Sequence, residues 1–313
     1  MHLTWDLFRQ KMSYIPQKPT QQGKIILENL DLMEVAQWID WKYFFKAWKI
    51  TGHYDGLKEC CGCQKCRTAW LAQFTEEEKI KAQEALNLYT DALKTLKEAI
   101  ENKRLKGNAL LYFSAAQGEI DGIKLLSEEN NELLYLPTLR QQHYGERNQH
   151  CASLCDFVSP QKDYIGIFAC TIIGAKEWCE ELKEDSYQSL LIQTIADRLV
   201  EALSEWLHQQ VREKYWGYDK TNKTGIRPAF GYPSLPDLSL LFDIDNLVDL
   251  KEIGITLTEN GAMYPNSSIC GLYIAHPQSY YFMVGEIGED QLTAYARQRN
   301  KKPEEIKKWL TTR

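Results

Sequence analysis

At Asn108 the hydrophobic period of this chain changes, and that change limits the fold more than any other feature. Before it, "DLMEVAQWIDWKYFFKAWKI" (31–50) has apolar residues at helical spacing and stops before Gly52. Thr75, with Glu78 three residues later, makes a capping-box pattern that opens a charged helix running to about Lys106. After it, "NALLYFSAAQ", "EIDGIKLLS" and "NELLYLP" read as short strands joined by turns. "DYIGIFACTII" (163–173) is a further strand, apolar enough to be buried on both faces. The spacing predicts the longest helix from Ser186 to about Trp216, with Ile192, Ile195, Leu199, Ala202, Leu203 and Trp206 as its core stripe. A helix over 237–250 and a strand over 255–259 follow. Then "SICGLYIA" and "YYFMVGEI" read as two strands joined by a hairpin-like "HPQS". Two short helices close the chain, the second starting near Pro303 as a first-turn proline. Strands and helices come in blocks and do not alternate as βαβ units, which predicts an α+β fold with an antiparallel sheet. Residues 1–28 are polar, with Pro16 and Pro19, and read as a leader wrapped on the surface. Residues 29–313 read as a single domain with an internal hinge.

The chain has 313 residues, 44% hydrophobic and 26% charged, which is the composition of a soluble globular protein. A net charge of −6 supplies no global basic footprint, so neither nucleic acid nor an anionic membrane is expected as a partner. No apolar run approaches the roughly 18 residues of a membrane span. "MHLTWDLFRQKM" lacks an apolar core of signal-peptide length, so the expected location is cytoplasmic, with the nine cysteines in a reducing compartment.

"GIRPAFGYPSLPD" (225–237) sets three prolines and two glycines around a single arginine. Pro228 and Pro233 restrict the backbone and Gly231 allows positive φ, so the loop can hold Arg227 at a fixed angle with Tyr232 nearby. Arginine suits a planar, two-point grip on a carboxylate or phosphate. The same residue types also suit a proline-rich connector whose arginine pairs with a surface acid. On the long helix, Asp197, Glu201 and Glu205 share one face at i, i+4 and i+8. They fit either a groove that meets a cation or ribose hydroxyls, or a solvated acidic face. Asp40, between Ile39 and Trp41, fits a pocket wall, a helix cap or a salt bridge.

Taken together, "IDWKYFFKAWKITGHY", "LRQQ", "CDFVSPQKDYIGIFA", "ADRLVEALSEWLHQQVREKYWGY", "GIRPAFGYPSLPD", "GITLTENGAMYPNSSICGLYIAHPQSYYFMVGEIGEDQLTAYARQRN" and "PEEIKKWL" fall in one family's order. The chain resembles the activation domain of cobalamin-dependent methionine synthase from about residue 30 to the end. The Arg-x-x-x-Gly-Tyr element at Arg227, Gly231 and Tyr232 matches that domain's S-adenosylmethionine (AdoMet) signature. The resemblance implies a C-shaped single α+β domain, a twisted antiparallel sheet flanked by helices, with AdoMet in a central groove. It implies that Arg227 grips the AdoMet carboxylate and that Asp40 and Glu201 contact polar groups, with Asp197 close by. Tyr281 and Phe282 would contribute from a strand, partly through backbone. Phe230 replaces the family's usual proline, Tyr280 stands where lysine is common, and the loop 219–224 is short. No Asp-x-His-x-x-Gly element is present to supply a histidine below cobalt. The resemblance therefore implies action in trans, on a separate cobalamin-binding module and with a flavodoxin-like reductant. The product would be methylcobalamin, regenerated from cob(II)alamin. An AdoMet-binding sensor or scaffold without methyl transfer is the alternative of a different class.

"CCGCQKC" places Cys60, Cys61, Cys63 and Cys66 within seven residues, in an insertion over about 55–70. Cys60, Cys63 and Cys66 make two overlapping Cys-x-x-Cys steps. Structural zinc, with His53 or Cys61 as fourth ligand, is one reading. Free thiols in an inserted loop and a redox or iron–sulfur role are the others. Cys151 and Cys155 beside His150 are further candidate ligands. His276, before Pro277 in the hairpin-like link, is expected to fix that turn.

Overall fold

The computed structural model describes residues 14–60, 63–143, 151–218 and 223–311. Cys61, His150 and residues 219–222 of the short loop lie outside the described residues. In chain order the strands are β1 (Gly23–Leu30), β2 (Lys106–Gly118), β3 (Gly122–Leu126), β4 (Glu132–Pro137), β5 (Asp163–Ile173), β6 (Thr256–Leu257), β7 (Met263–Tyr264) and β8 (Ser268–Ile274). Six of them form a sheet ordered β4-β3-β2-β5-β8, with β1 also paired to β2, while β6 and β7 pair separately. β3 runs antiparallel to both neighbours, with Ala115 opposite Leu126 and Gly122 opposite Pro137. The meander expected after Asn108 is therefore present, and the fold is α+β. β5 is buried along almost its whole length, as its apolar run required, and every residue of β8 is buried. The expected leader is not irregular throughout, because residues 23–28 belong to β1.

The chain divides into two compact units. One, mainly helical, comprises Asn29–Asn108 and Thr171–Trp206. It holds α1 (Leu32–Ala36), α2 (Trp41–Ala47), α3 (Gln64–Leu71), α4 (Glu76–Glu101), α5 (Ala175–Glu181) and most of α6 (Ser186–Gln210). The single helix expected over 31–50 is two. Asp31 caps α1 by accepting from Met33 N at 2.8 Å, and Asp40 caps α2 by accepting from Lys42 N at 3.0 Å. An aspartate that offers its own oxygen to a nearby amide favours a helix start over a helix interior. The aromatic residues of this stretch build core. Trp41 meets Tyr89 edge-on at 4.7 Å and Phe45 meets Tyr54 at 5.3 Å. α4 opens with the predicted capping box between Thr75 and Glu78. At 26 residues it exceeds α6, which has 25 and gives way to a π-helical turn, Val211–Tyr215. The expected stripe of α6 is buried at Ile192, Ile195, Leu199, Ala202 and Leu203. Trp206 is only partly covered and donates its indole N–H to Glu34 at 2.9 Å.

The other unit, mainly sheet, comprises Met1–Glu28, Ala109–Cys170 and Leu207–Arg313. Its helices are α7 (Leu240–Val248), α8 (Glu289–Gln298) and α9 (Pro303–Trp309), the last with proline in its first turn as expected. Leu110, Ile165 and Ile167 of the sheet form one core with Leu241, Ile244, Leu292 and Ile306 of these helices. Arg140 grips the fully buried Asp156 through two hydrogen bonds, at 2.6 and 2.7 Å, and Ser153 N donates to the same carboxylate at 2.9 Å. That pair explains "LRQQ" and "CDFVSP" as structural motifs. Residues 14–20 also strap onto this unit. Trp216 donates its indole N–H to Gln17 O at 2.8 Å, Thr20 N donates to Tyr215 O at 2.8 Å, and Tyr14 OH donates to Asp163.

"YYFMVGEI" is not a strand of the sheet. It keeps a strand's alternation, with Tyr281 and Met283 exposed and Phe282 and Val284 buried. Its backbone bonds go elsewhere: Val284 N donates to Pro233 O at 2.9 Å, and Met283 O accepts from Gln141 at 2.8 Å. The position beside β8 that it would have needed is already taken by another segment of the chain. Among the described residues no helix is long and apolar enough to cross a membrane.

Candidate functional site: the arginine loop

The segment that takes that position is the proline-rich loop. Gly225 turns in at φ +89°, where a Cβ would lie 2.9 Å from Ile274 O. Ile226 and Ile274 then exchange both backbone hydrogen bonds, at 2.9 and 3.0 Å. Leu272 N donates to Pro228 O at 2.9 Å and Phe230 N donates to Cys270 O at 3.0 Å. Residues 226–230 thus lie along the outer edge of β8. Pro228 sits there without loss, because an edge position needs no second ladder donor. The N–H of Arg227 faces away from β8 and donates to Tyr281 OH at 3.0 Å. The backbone that carries the arginine is therefore fixed from both sides.

After Phe230 the chain turns sharply. Gly231 has φ +83°, Gly231 N donates to Leu235 O at 2.9 Å, and Thr311 donates to Gly231 O at 2.7 Å. Tyr232 is 51% exposed on this turn. Phe230, the departure from the family's proline, is 4% exposed and packs into the sheet unit's core. Phe282 is buried, its ring 6.3 Å from Phe157 and 6.1 Å from Tyr280. Tyr281 lies on an irregular segment, not on the expected strand. Arg227, Gly231, Tyr232, Tyr281 and Phe282 all belong to the sheet unit. The structure brings Arg227 and Tyr281 into direct contact.

Two residues of this neighbourhood carried no signal in the sequence. His208 is 6% exposed and stacks on Tyr273 at 5.1 Å, which stacks in turn on Phe168 at 4.7 Å. Burial, with the Arg212 and Arg227 guanidiniums, pushes its pKa down to about 2. The imidazole is therefore neutral, beside two cations. Arg212, in the π turn, donates from Nε to Thr224 O at 3.2 Å and from a terminal nitrogen to Lys223 O at 3.4 Å. Both residues read from sequence as one helix surface.

Neutral His208 has a measurable consequence. The unfolded chain takes a proton there below about pH 6.5, whereas the folded chain takes it only near pH 2. The native state therefore loses stability as pH falls through 6.5, by about 2 kcal/mol between pH 7 and pH 5. Urea titrations of the wild type and His208→Gln at both values check this. The expected result is a smaller acid-side loss in the variant, and an equal loss would show that His208 contributes none of it.

The remaining expected contacts belong to the helical unit. Asp197 and Glu201 are half-buried on α6, one turn apart, and Asp197 accepts from Gln193 at 3.2 Å. Glu205 continues that face and is exposed. Asp40 is an exposed helix cap that uses Oδ1 on Lys42 N. Of its three readings the cap is realised.

The described residues do not support the zinc reading of Cys60, Cys63 and Cys66, and the candidate fourth ligand Cys61 lies outside them. Among the described residues no three His, Cys, Asp or Glu side chains are grouped to hold a metal ion. Cys63 is instead the N-cap of α3, with its sulfur accepting from Cys66 N at 3.4 Å, so helix geometry governs its direction. Cys155 is buried against Arg140, and burial raises its thiol pKa. Cys151 contributes a carbonyl to the same arginine at 2.9 Å. His276 accepts from Gln278 N at 3.0 Å and fixes its turn, as expected.

The fold and the loop define a class: an α+β chain that presents one anchored arginine from the covered edge of its sheet. Residues 31–300 match the activation domain of vitamin B12 dependent methionine synthase. The chain belongs to that family. The crystal structure of the MetH reactivation domain bound to AdoHcy is similar to it, with 30% sequence identity and a TM-score of 0.82. That similarity covers 97% of this chain and 96% of the other.

Proposed function

We propose that this chain binds AdoMet and supports the reductive methylation of cob(II)alamin, reactivating a cobalamin-dependent methionine synthase in trans. The observation that carries the reading is the Arg227 loop, bonded along β8 on one side and to Tyr281 on the other. A guanidinium on so fixed a backbone suits a carboxylate held at two points. Family membership and the AdoHcy carried by the similar structure support the choice of ligand.

The donor set fits AdoMet, which bears a carboxylate, an ammonium, a sulfonium and ribose hydroxyls. Arg227 holds the carboxylate. Gly231 permits the turn that sets Tyr232 beside the ligand, and Tyr281 and Phe282 line the same neighbourhood. Asp40, Asp197 and Glu201 meet the cationic and hydroxyl groups. Bound AdoMet would supply a methyl group for the partner's reduced cobalamin and leave as AdoHcy. A flavodoxin-like reductant in the cytoplasm provides the electron. The chain's own part is to orient the methyl donor, which is catalysis by proximity.

The test adds the full chain, AdoMet and reduced flavodoxin to a methionine synthase that lacks its own activation domain and rests as cob(II)alamin. Turnover is expected to return. Saturable AdoMet binding without returned turnover would leave a sensor or scaffold, the alternative reading. A second expectation concerns charge. Glu201→Gln should weaken AdoMet about fivefold more than AdoHcy, close to 1 kcal/mol, because only AdoMet carries the sulfonium. Equal losses in calorimetric titrations would remove the electrostatic role.

A further inference from the structure

We propose that Arg212 is a positioning residue for the ligand carboxylate, acting through Arg227. The inference rests on the AdoMet reading above and deepens it. Arg212 holds the chain on both sides of residues 219–222. Its carbonyl accepts from Tyr218 N at 2.7 Å, where the chain leaves the π turn. Its guanidinium donates to the carbonyls of Lys223 and Thr224, where the chain returns. Gly225 comes next, Ile226 joins the edge of β8, and Arg227 follows. One side chain thus sets the point from which the arginine loop starts.

Two observations give this clasp a function beyond holding Tyr218 near Lys223 and Thr224. First, it sits on a π-helical turn, an energetically poor conformation that recurs at functional sites. Continued as an α-helix, the backbone would carry residue 212 to a different angle. Second, Arg212 and Arg227 both act electrostatically on buried His208, so the two guanidiniums and the imidazole share one neighbourhood. His208 is itself held by its stack on Tyr273. A two-point grip tolerates a displacement of only about 0.5 Å, so a loop stem left to wander would weaken it.

The experiment uses the full chain and two probes, AdoHcy and 5′-methylthioadenosine. The second keeps the adenosine and the thioether sulfur but has no amino-acid carboxylate. Arg212→Met retains most of the side chain's length and loses its donors. It should weaken AdoHcy about tenfold and leave 5′-methylthioadenosine unchanged. Arg212→Lys, which keeps a charge and a donor, should recover part of the loss. Added to Arg227→Ala, Arg212→Met should weaken AdoHcy no further, since it works through the residue already removed. Equal loss for both probes, no loss for either, or additive losses in the double variant would each overturn the inference. If Arg212→Met does not fold, the lysine variant and its double with Arg227→Ala decide the same question. A wild type that binds neither probe would instead overturn the AdoMet reading itself.

Discussion

Arg227→Ala is expected to cost roughly a hundredfold in AdoMet affinity, about 3 kcal/mol, which is the scale of hydrogen bonds to a charged group. Its melting temperature should move little. The contacts that seat this stretch are made by backbone atoms of Ile226, Pro228 and Phe230, and the Arg227 N–H bond to Tyr281 survives truncation to alanine. His208 should also become easier to protonate, because one of the two guanidiniums beside it is gone. Calorimetric titration with AdoMet, with the thermal midpoint measured beside it, tests the first two together. Unchanged affinity would sink the site assignment. Lost affinity accompanied by a large fall in midpoint would mean that the arginine supports the fold and not the ligand.

The second large effect comes from a residue of β8 packed against the arginine loop. A Cβ placed on Gly271 would lie 2.4 Å from Pro228 O, 2.8 Å from Ala229 Cα and 2.7 Å from the Phe168 ring. Two of those atoms are backbone of the arginine loop and cannot rotate away. Gly271→Ala therefore has to push the loop off β8 or bend the strand. Overpacking of this kind costs about 1–3 kcal/mol, and here it falls on the ladder that aims Arg227. The expected outcome is a stability loss near the top of that range together with weaker AdoMet binding. Cys270→Ala, one residue away and also buried, removes atoms instead of adding them and should spare binding. If Gly271→Ala folds with wild-type midpoint and affinity, the close approach is not what holds the loop.

Most of the sheet was legible because its strands carry their own signal. β2 and β5 are apolar runs bounded by turns, and neither needs a partner's identity to be recognised. The capping box of α4 and the proline of α9 were legible for the same reason, since each is a local bond pattern. The misreadings share a different cause. Asp40 lies inside a helical period, and only the cap it makes to Lys42 N shows that two helices meet there. The residues 280–287 alternate as a strand does, yet whether they join the sheet depends on which segment reaches β8 first. β1 hides in a polar leader, and β2 gives it a place. Within the site, Arg227 stood out because its loop is compositionally odd. Arg212 and His208 sit in an ordinary amphipathic stretch, and their meaning comes from a change of helical hydrogen bonding that composition does not record. The family resemblance supplied the ligand; the residues alone left the arginine loop open between a binding loop and a connector.

The loop's seat also bears on how the protein behaves in company. β8 is the last strand of its sheet, fully buried along its length and rich in apolar side chains. An uncovered terminal strand of that kind is a template for pairing with another chain. Here its outward donors and acceptors at Cys270, Leu272 and Ile274 are spent on the arginine loop. The element that aims the guanidinium is thus also the cover that keeps this edge from recruiting a neighbour. Selection for solubility and selection for the ligand would act on the same few backbone bonds.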